Sequence, residues 1–294
     1  MTTLGDPRRL SPARGLPRVG RAASDELRAA REHERAGCIP EAIDAYERAI
    51  VSAETDTLPS VLAESLRRLA VVRHKRDERD AAHRLCERSR SVAEAAGHPL
   101  LAAEALNTLG VMHLREGSLE DAAGHFAAAL TLGGDSGELR ARIEQNLGIL
   151  ANIHGDLDEA LRRYAGSLDG FRAANDEHGC ALAYHNLGMV SADLERHDDA
   201  ERYFNASLEI AERAGDVHLQ GLCLLNHADV DASRQRFEEA RRKSEAALAI
   251  FDQLGARGHK SAAYRVIGVV YRETGKFALA ESRLRAAIDL AVSS

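Results

Sequence analysis

The sequence has few of the residues that build most mixed folds. It contains no tryptophan, aromatic residues make up only 4% of the 294 residues, and there are six prolines. We find no alternating runs rich in valine or threonine, which would indicate β-strands. The chain is instead crowded with Ala, Leu, Arg and Glu, which are strong helix formers. This composition predicts closely packed helices with little side-chain bulk between them.

The cysteines and the apolar segments exclude further classes of protein. Four cysteines are scattered without a CxxC pair, so we expect neither a zinc site nor a disulfide framework, and we interpret all four as reduced core residues. No stretch approaches the roughly 20 apolar residues that span a bilayer, and the N-terminus lacks the apolar core of a secretory signal. We therefore expect a cytoplasmic protein without a membrane span.

Charge and motifs argue against several activities. The formal net charge is −7, which disfavours general nucleic-acid binding because such affinity depends on unopposed Lys and Arg. There is no HExxH motif, and the string "GARGHKS" from Gly255 to Ser261 has the wrong spacing for a phosphate-binding loop. No nucleophile stands at a suitable spacing from a base. We expect no catalytic residues, no metal site and no cofactor.

The first 21 residues differ from the rest of the chain. They hold three of the six prolines and five arginines, but few large apolar residues with any period. We predict a disordered basic arm over residues 1–21, followed by one domain over residues 22–294. The arm is either a tether or targeting segment, or simply a solvated tail.

A small residue recurs with a period of 40 residues, shortened to 38 at one step. The alanines at this position are Ala42, Ala82, Ala122, Ala160, Ala200, Ala240 and Ala280. Another Ala or Ser stands seven residues after each of these alanines. The residue four positions after each alanine is large in five of the seven copies. Offsets of four and seven lie on one face of an α-helix. The period therefore predicts seven copies of one helical unit.

A second helix is expected upstream of each alanine. In five copies it carries a large aliphatic residue followed by a small one, such as Leu147 and Gly148, whereas the sixth copy has His227 and Ala228. Small residues on two consecutive helices let their backbones approach, so that neighbouring large residues can interlock. Each repeat is therefore predicted to be a helical hairpin.

The turn inside the hairpin can also be predicted. Gly155 and its equivalents stand where the end of a helix needs a residue that tolerates positive φ. In three copies the glycine is replaced, by Asp77, Glu195 and Gln235. Asp156 is expected to cap the second helix, with Glu159 completing a capping box.

The complete frame is Leu-Gly, a glycine, an alanine, an aromatic residue and a small residue, and it resembles the tetratricopeptide repeat. It is carried by Leu147, Gly148, Gly155, Ala160, Tyr164 and Ser167. The resemblance covers about residues 22–294 and implies an all-α fold, a right-handed α-solenoid of about seven hairpins, or about 14 antiparallel helices. The period exceeds the family's usual 34 residues, as in kinesin light chains, bacterial regulators and peptide receptors of the Rap and PlcR type.

The resemblance implies that the first helices line a concave groove and that a partner lies beside the Leu-Gly pairs. The peptide-binding residues expected on this basis are Asn107, Asn146, Asn152, Asn186, Asn226, Arg67, Arg68, Arg115, Arg142, Gln145 and His185. The last two copies also offer Asp229 and Arg265. We expect the N-terminal groove to be basic and to favour a carboxylate-rich segment, with a plain solvated face as the alternative.

Three of these asparagines, Asn146, Asn186 and Asn226, occupy the same position in consecutive copies. An asparagine offers both a donor and an acceptor, which is what an extended peptide backbone requires. In related arrays an asparagine at this position grips the bound peptide. The alternatives are that the three amides are only solvated, or that they hydrogen-bond a neighbouring helix of the array.

Two functional hypotheses follow, from different classes. The first is a non-catalytic adaptor or scaffold that binds an extended, acidic peptide or protein segment in the groove. The second is a signalling sensor whose array changes conformation on binding a small peptide or metabolite and so controls a partner protein. The last helix offers Phe277 and Ile288 without a polar cap, so we also expect pairing with a second copy or a partner there.

Overall fold

The computed structural model describes residues 21–133 and 136–292. The predicted arm, residues 1–21, lies outside the described residues except for Arg21, where the first helix begins. The helices are α1 (Arg21–Arg35), α2 (Ile39–Thr55), α3 (Pro59–Lys75), α4 (Arg79–Ala95), α5 (Pro99–Glu116), α6 (Leu119–Gly133), α7 (Gly137–Ile153), α8 (Leu157–Ala173), α9 (Glu177–Asp193), α10 (His197–Ala214), α11 (Val217–Ser233), α12 (Phe237–Gln253), α13 (Arg257–Glu273) and α14 (Phe277–Val292). None of them combines the length and the apolar character that a bilayer-spanning helix needs.

The chain divides within α5 into two compact units, Met1–Leu109 and Gly110–Ser294. In the first unit α1 packs on α2, α2 on α3, and α3 on α4. In the second unit each helix from α6 to α13 packs on the next helix along the chain. The described residues contain no strand. The fold is an all-α solenoid of helical hairpins, as predicted.

Within the second unit the first and second helices of the hairpins are spaced differently. The backbones of α7 and α9, of α9 and α11, and of α11 and α13 lie next to each other, whereas α8, α10 and α12 do not approach one another in this way. Closer spacing on one side of a stack of hairpins places that side on the inside of its curvature. The first helices therefore form the layer on which a partner was expected.

The packing between the two helices of a hairpin confirms the repeat analysis. All seven period-marking alanines are buried. Gly188 of α9 faces the ring of Phe204 in α10, so close that an added Cβ would lie 2.6 Å from a ring carbon. Gly148 faces Tyr164 in the same way, also at 2.6 Å. The small residue on one helix therefore makes room for the aromatic residue on the other.

The sixth hairpin, α11 and α12, departs from this arrangement. Ala228 replaces the glycine and Ser244 replaces the aromatic residue. One turn further along α11, Asp231 is only 1% exposed, and its carboxylate pairs with Lys243 at 2.6 Å and with Arg236 at 2.7 Å. A buried carboxylate with two partly exposed cations thus stands close to the position where other copies carry an aromatic residue.

The predicted turns are present. Gly155 has a φ of +77°, and Glu195, which replaces glycine in the fifth hairpin, adopts a φ of +58°. The side chain of Asp156 accepts a hydrogen bond from the Glu159 backbone N–H at 3.1 Å, so this residue caps α8 as expected. One cysteine departs from prediction: Cys38 is exposed at the start of α2, whereas the other three are buried.

Candidate functional site

The three asparagines of equivalent phase lie on consecutive first helices of the second unit. We call Asn146 on α7, Asn186 on α9 and Asn226 on α11 the asparagine column. Each is half-buried. The Nδ2 group of Asn226 donates a hydrogen bond to Nε2 of His185 on the neighbouring helix at 3.0 Å. One N–H of the Asn226 amide therefore bonds a neighbouring helix of the array, which was one of the alternatives to peptide binding.

His185 is more enclosed than the sequence suggested. It is 7% exposed, and its ring centroid lies 5.9 Å from that of Phe204. Burial lowers the pKa of His185 to about 4, so the ring is neutral near pH 7 and Nε2 accepts the Asn226 amide. His185 orients the Asn226 amide through this hydrogen bond. Because His185 is only 7% exposed, little of its own surface is available to a ligand.

Two predicted groove arginines of the first unit are paired with carboxylates. Arg67 lies 2.7 Å from Glu104 of the next first helix, and Arg68 lies 3.1 Å from Glu64 one turn earlier. Glu64 also pairs with Arg31. The positive charge expected of the N-terminal groove is thus largely compensated, and a ligand carboxylate would have to compete with these glutamates.

The remaining predicted positions lie on the same class of helix. Asn107 and Arg115 are on α5, the first half-buried and the second exposed. On α7, Gln145 and Asn152 are half-buried, and Arg142 lies 3.6 Å from Glu138. These positions are compatible with a groove, but they differ in exposure and in how much of their polar surface a ligand could reach.

The structure brings further polar groups together in a cleft beside the asparagine column. This α9/α11 cleft has a volume of about 220 Å³ and is lined by Asp193, His197, Phe204, Asn226 and Asp229, among others. Burial raises the pKa of Asp193, and the negative charge of Asp229 raises it further. Two carboxylates of consecutive first helices therefore face the same small volume.

Sequence reasoning missed Asp193 and His197 of this cleft. Asp193 is the last residue of α9, and its equivalents in the neighbouring copies are Ile153 and Ser233. A carboxylate between two uncharged equivalents was the available signal. His197 begins α10, and only the folded hairpin brings it to the cleft between α9 and α11.

The charged residues around Asp231, together with Glu201 of α10, have the residue types of a metal site. Potential ligand atoms of Glu201, His227 and Asp231 lie within 4.8 Å of one another. Both oxygens of Asp231 are however paired, with Lys243 and Arg236. Burial lowers the pKa of His227, and the charge of Lys243 lowers it further. The network is compensated by its own cations, and we interpret it as part of the core.

Comparison with family models identifies the repeat. One model described as the tetratricopeptide repeat matches residues 139–213, 179–251 and 222–291, and a second of the same description matches residues 75–137. The chain belongs to the tetratricopeptide repeat (TPR) family. The first model alone covers more than half of the chain, over the hairpins that carry the asparagine column and the α9/α11 cleft. No curated protein matches the chain.

Several solved structures share the TPR fold. The quorum sensor NprR from B. thuringiensis, in its apo form, is 14% identical with a TM-score of 0.72, over 92% of this chain and 76% of that one. The Rap conjugation gene regulator of plasmid pLS20, in complex with the Phr* peptide, is 17% identical with a TM-score of 0.70, over 98% and 80%. BtubC (BKLC) from P. vanneervenii is 22% identical with a TM-score of 0.60, over 71% and 87%. At these identities the likeness concerns the fold.

Proposed function

We propose that this TPR chain is a non-catalytic binding protein that holds an extended peptide segment of a partner along α7, α9 and α11. The observation that carries this proposal is the asparagine column, which places one amide on each of three consecutive first helices at half-buried positions. An extended peptide presents N–H and C=O groups at regular intervals, and amides can satisfy both kinds. The protein then acts as an adaptor or scaffold.

The bond between Asn226 and His185 supports this role. It fixes Nδ2 toward α9 while Asn226 still lines the α9/α11 cleft. The amide oxygen and the second N–H of Asn226 are then left to meet a ligand in one orientation. A side chain that is already ordered loses less conformational entropy when it binds. The hydrogen bond to His185 therefore lowers the entropy cost when Asn226 binds a peptide.

We propose further that acidic segments are preferred at the first unit. Arg67 and Arg68 already bind glutamate carboxylates there, and a carboxylate of the ligand could take the place of a glutamate on the same arginine.

Enrichment of a displayed random peptide library on the full chain tests both peptide binding and the acidic preference. We expect retained peptides, enriched in Asp and Glu, whose retention weakens with salt. Failure to retain any peptide would contradict the proposed function, and retained peptides without acidic enrichment would contradict the acidic preference.

A sensor is the alternative that the structural neighbours favour, because NprR is described as a quorum sensor and the pLS20 Rap regulator as a peptide complex. In that case a peptide would change the arrangement of the hairpins. Small-angle X-ray scattering with and without an enriched peptide distinguishes the two functions. A scaffold keeps the same radius of gyration, whereas a sensor changes it.

We also propose that α14 pairs with a second copy of the chain in the cytoplasm. Its exposed face carries Phe277 at 69% and Ile288 at 61% exposure, and clustered apolar residues of this kind are typical of interfaces. Light scattering at high protein concentration tests the pairing. We expect a dimer that the substitution Ile288→Glu converts to a monomer. A wild-type monomer would refute self-association and leave peptide binding unaffected.

A further inference from the structure

The most exposed large apolar side chains of the described residues lie on two surfaces. Val51 of α2 is 61% exposed, and on α14 Phe277 is 69%, Ile288 61% and Val292 84% exposed. Single apolar residues on a surface are ordinary, whereas contiguous apolar patches mark interaction sites. The surroundings of Val51 and of the α14 residues therefore decide whether either surface binds a partner.

Val51 lines a groove between α2 and α4, which we call the α2/α4 groove. Both helices pack on α3, but their backbones do not approach each other. The groove has a volume of about 580 Å³. Its apolar lining consists of Val51 and the half-buried Leu85, together with the buried Ile50, Leu66 and Leu69. A groove between two helices with such a lining accepts the apolar face of a third helix.

The repeat does not require an apolar groove at this place. At the position of Val51 the other copies carry Ser91, Thr131, Asp169, Glu209, Ala249 and Asp289. At the position of Leu85 the third to seventh copies carry His125, Arg163, Tyr203, Lys243 and Arg283. The hairpin therefore folds with polar residues at both positions. Val51 and Leu85 give the α2/α4 groove an apolar surface that is available to a partner.

The charged residues of the groove leave one cation without a carboxylate partner. Glu47 pairs with Arg73 at 2.7 Å, and Arg88 pairs with Glu54. Arg84, one turn before Arg88 on α4, is exposed and lines the groove. It forms no ion pair with any residue that the structure describes. The groove therefore favours an apolar helix face that also carries a carboxylate.

One face of α14 has this composition. Ile288 and Val292 stand 11 and 15 residues after Phe277, which places the three side chains on one side of the helix. Glu281, four residues after Phe277, lies on the same side, is exposed and pairs with Arg285 of its own helix at 2.7 Å. We call Phe277, Glu281, Ile288 and Val292 the α14 stripe.

The preceding hairpin shows what such a face packs against. The equivalent of Ile288 in α12 is Leu248, which is half-buried against a cluster that includes Ala263 and Val266 of α13. The same face is therefore covered by a helix in α12, whereas it is exposed in α14. The α14 stripe thus suits packing against helices, which the α2/α4 groove provides.

We propose that α14 of one copy binds in the α2/α4 groove of a second copy. Phe277 and Ile288 supply the apolar ridge that packs against the lining of the groove, and Glu281 supplies a carboxylate for Arg84. A two-fold dimer makes this contact twice, with each α14 in the groove of the other copy, so the assembly is closed. Docking of this kind rests on the proposed pairing of α14 with a second copy, and it adds the surface that α14 meets.

Val51→Glu and Ile288→Glu test the two surfaces separately. Glu209 occupies the position of Val51 in α10, so a glutamate there is compatible with the folded hairpin. Thr131→Glu makes the same substitution at the equivalent position of α6, outside the groove, and serves as the matched control. At a concentration at which the wild type sediments as a dimer, we expect Val51→Glu and Ile288→Glu to sediment as monomers and Thr131→Glu to remain a dimer.

Mixing the two variants distinguishes this contact from a pairing of α14 with α14. Val51→Glu keeps an intact α14 and Ile288→Glu keeps an intact groove, so a mixture can form one of the two contacts. Cys38, the exposed one of the four cysteines, carries a fluorophore in Ile288→Glu. We expect its anisotropy to rise when Val51→Glu is added, with a lower affinity than in the wild-type dimer. No rise would overturn the proposal.

The charged contact has a test of its own. Arg84→Glu is expected to weaken the dimer about three- to tenfold, because an attraction across an exposed pair is replaced by a repulsion. Arg162→Glu makes the same substitution at the equivalent position of α8 and is expected to leave the dissociation constant unchanged. Equal dissociation constants for the two variants would overturn the proposed orientation of α14 in the groove.

The remaining outcomes separate this proposal from the others. A dimeric Val51→Glu beside a monomeric Ile288→Glu would overturn docking in the groove and keep the pairing of α14. A dimer that is lost when residues 1–20 are removed would also overturn it, because the N-terminal arm would then supply the contact. Both glutamate variants should still retain the library-enriched peptides, so a failure of docking and a failure of peptide binding give different results.

Discussion

Replacing Gly188 with alanine is expected to destabilise the fifth hairpin, although alanine is the better helix former. The added Cβ would lie 2.6 Å and 2.7 Å from Cε1 and Cδ1 of Phe204. The ring is 1% exposed, and its centroid lies 5.9 Å from that of His185 and 6.4 Å from that of His227. Phe204 packs against both histidine rings, so it cannot turn toward them without displacing them.

The magnitude follows from two opposing effects. Forcing a methyl group into a well-packed core costs about 1–3 kcal/mol, and contacts this far inside the van der Waals distance belong at the upper end, about 3 kcal/mol. The better helix propensity of alanine offsets about 1 kcal/mol. The expected net loss for Gly188→Ala is about 2 kcal/mol in the free energy of unfolding.

Gly166→Ala provides the matched control. Gly166 is an exposed glycine within α8, and an added Cβ there meets no atom within 4 Å. This variant is expected to gain about 1 kcal/mol from helix propensity alone. Urea unfolding followed by circular dichroism measures both, and the midpoints should move in opposite directions. If Gly188→Ala is as stable as Gly166→Ala, the close packing of Gly188 against Phe204 is not what positions these two helices.

The remaining stability predictions concern buried ionisable groups. The pKa of His185 is about 4 when folded and about 6.5 when unfolded, so the unfolded chain takes up the proton first and stability is lost as the pH falls through this window. The loss is on the order of 3 kcal/mol, and urea titrations should show a flatter pH dependence in His185→Gln than in the wild type; parallel curves would contradict the assignment. Lys243→Met leaves the charge of Asp231 dependent on Arg236 and is expected to destabilise the chain by about 2–3 kcal/mol. Adding Asp231→Asn to Lys243→Met should recover part of this loss, and additive effects of the two substitutions would show that they are not coupled.

The fold could be predicted because its determinants are local and repeated. Each hairpin depends on residues less than one period apart, such as Gly188 and Phe204, and seven copies repeat the same signal. The site was harder to predict because its contacts join different repeats. Arg67 meets Glu104 across 37 positions and Asn226 meets His185 across 41. The sequence shows a donor or acceptor at each position, but only packing decides which pairs meet.

The α9/α11 cleft illustrates the same limit. Asp229 could be placed on the groove from its repeat position, but Asp193 has no charged equivalent in neighbouring copies, and His197 belongs to a second helix. Their convergence depends on how α10 meets the layer of first helices. The buried pairing of Asp231 with Lys243 was likewise not predicted, since the sixth copy departs from the repeat frame at that point.

The central claim is that the asparagine column holds the backbone of a bound peptide. Its most direct test is the affinity of one library-enriched peptide, measured by isothermal titration calorimetry, for the wild type and for the triple variant Asn146→Ala, Asn186→Ala and Asn226→Ala. Three lost hydrogen bonds of about 1 kcal/mol each predict a weakening of about 100-fold, with circular dichroism confirming that the variant stays helical. An unchanged affinity in a folded triple variant would contradict the account.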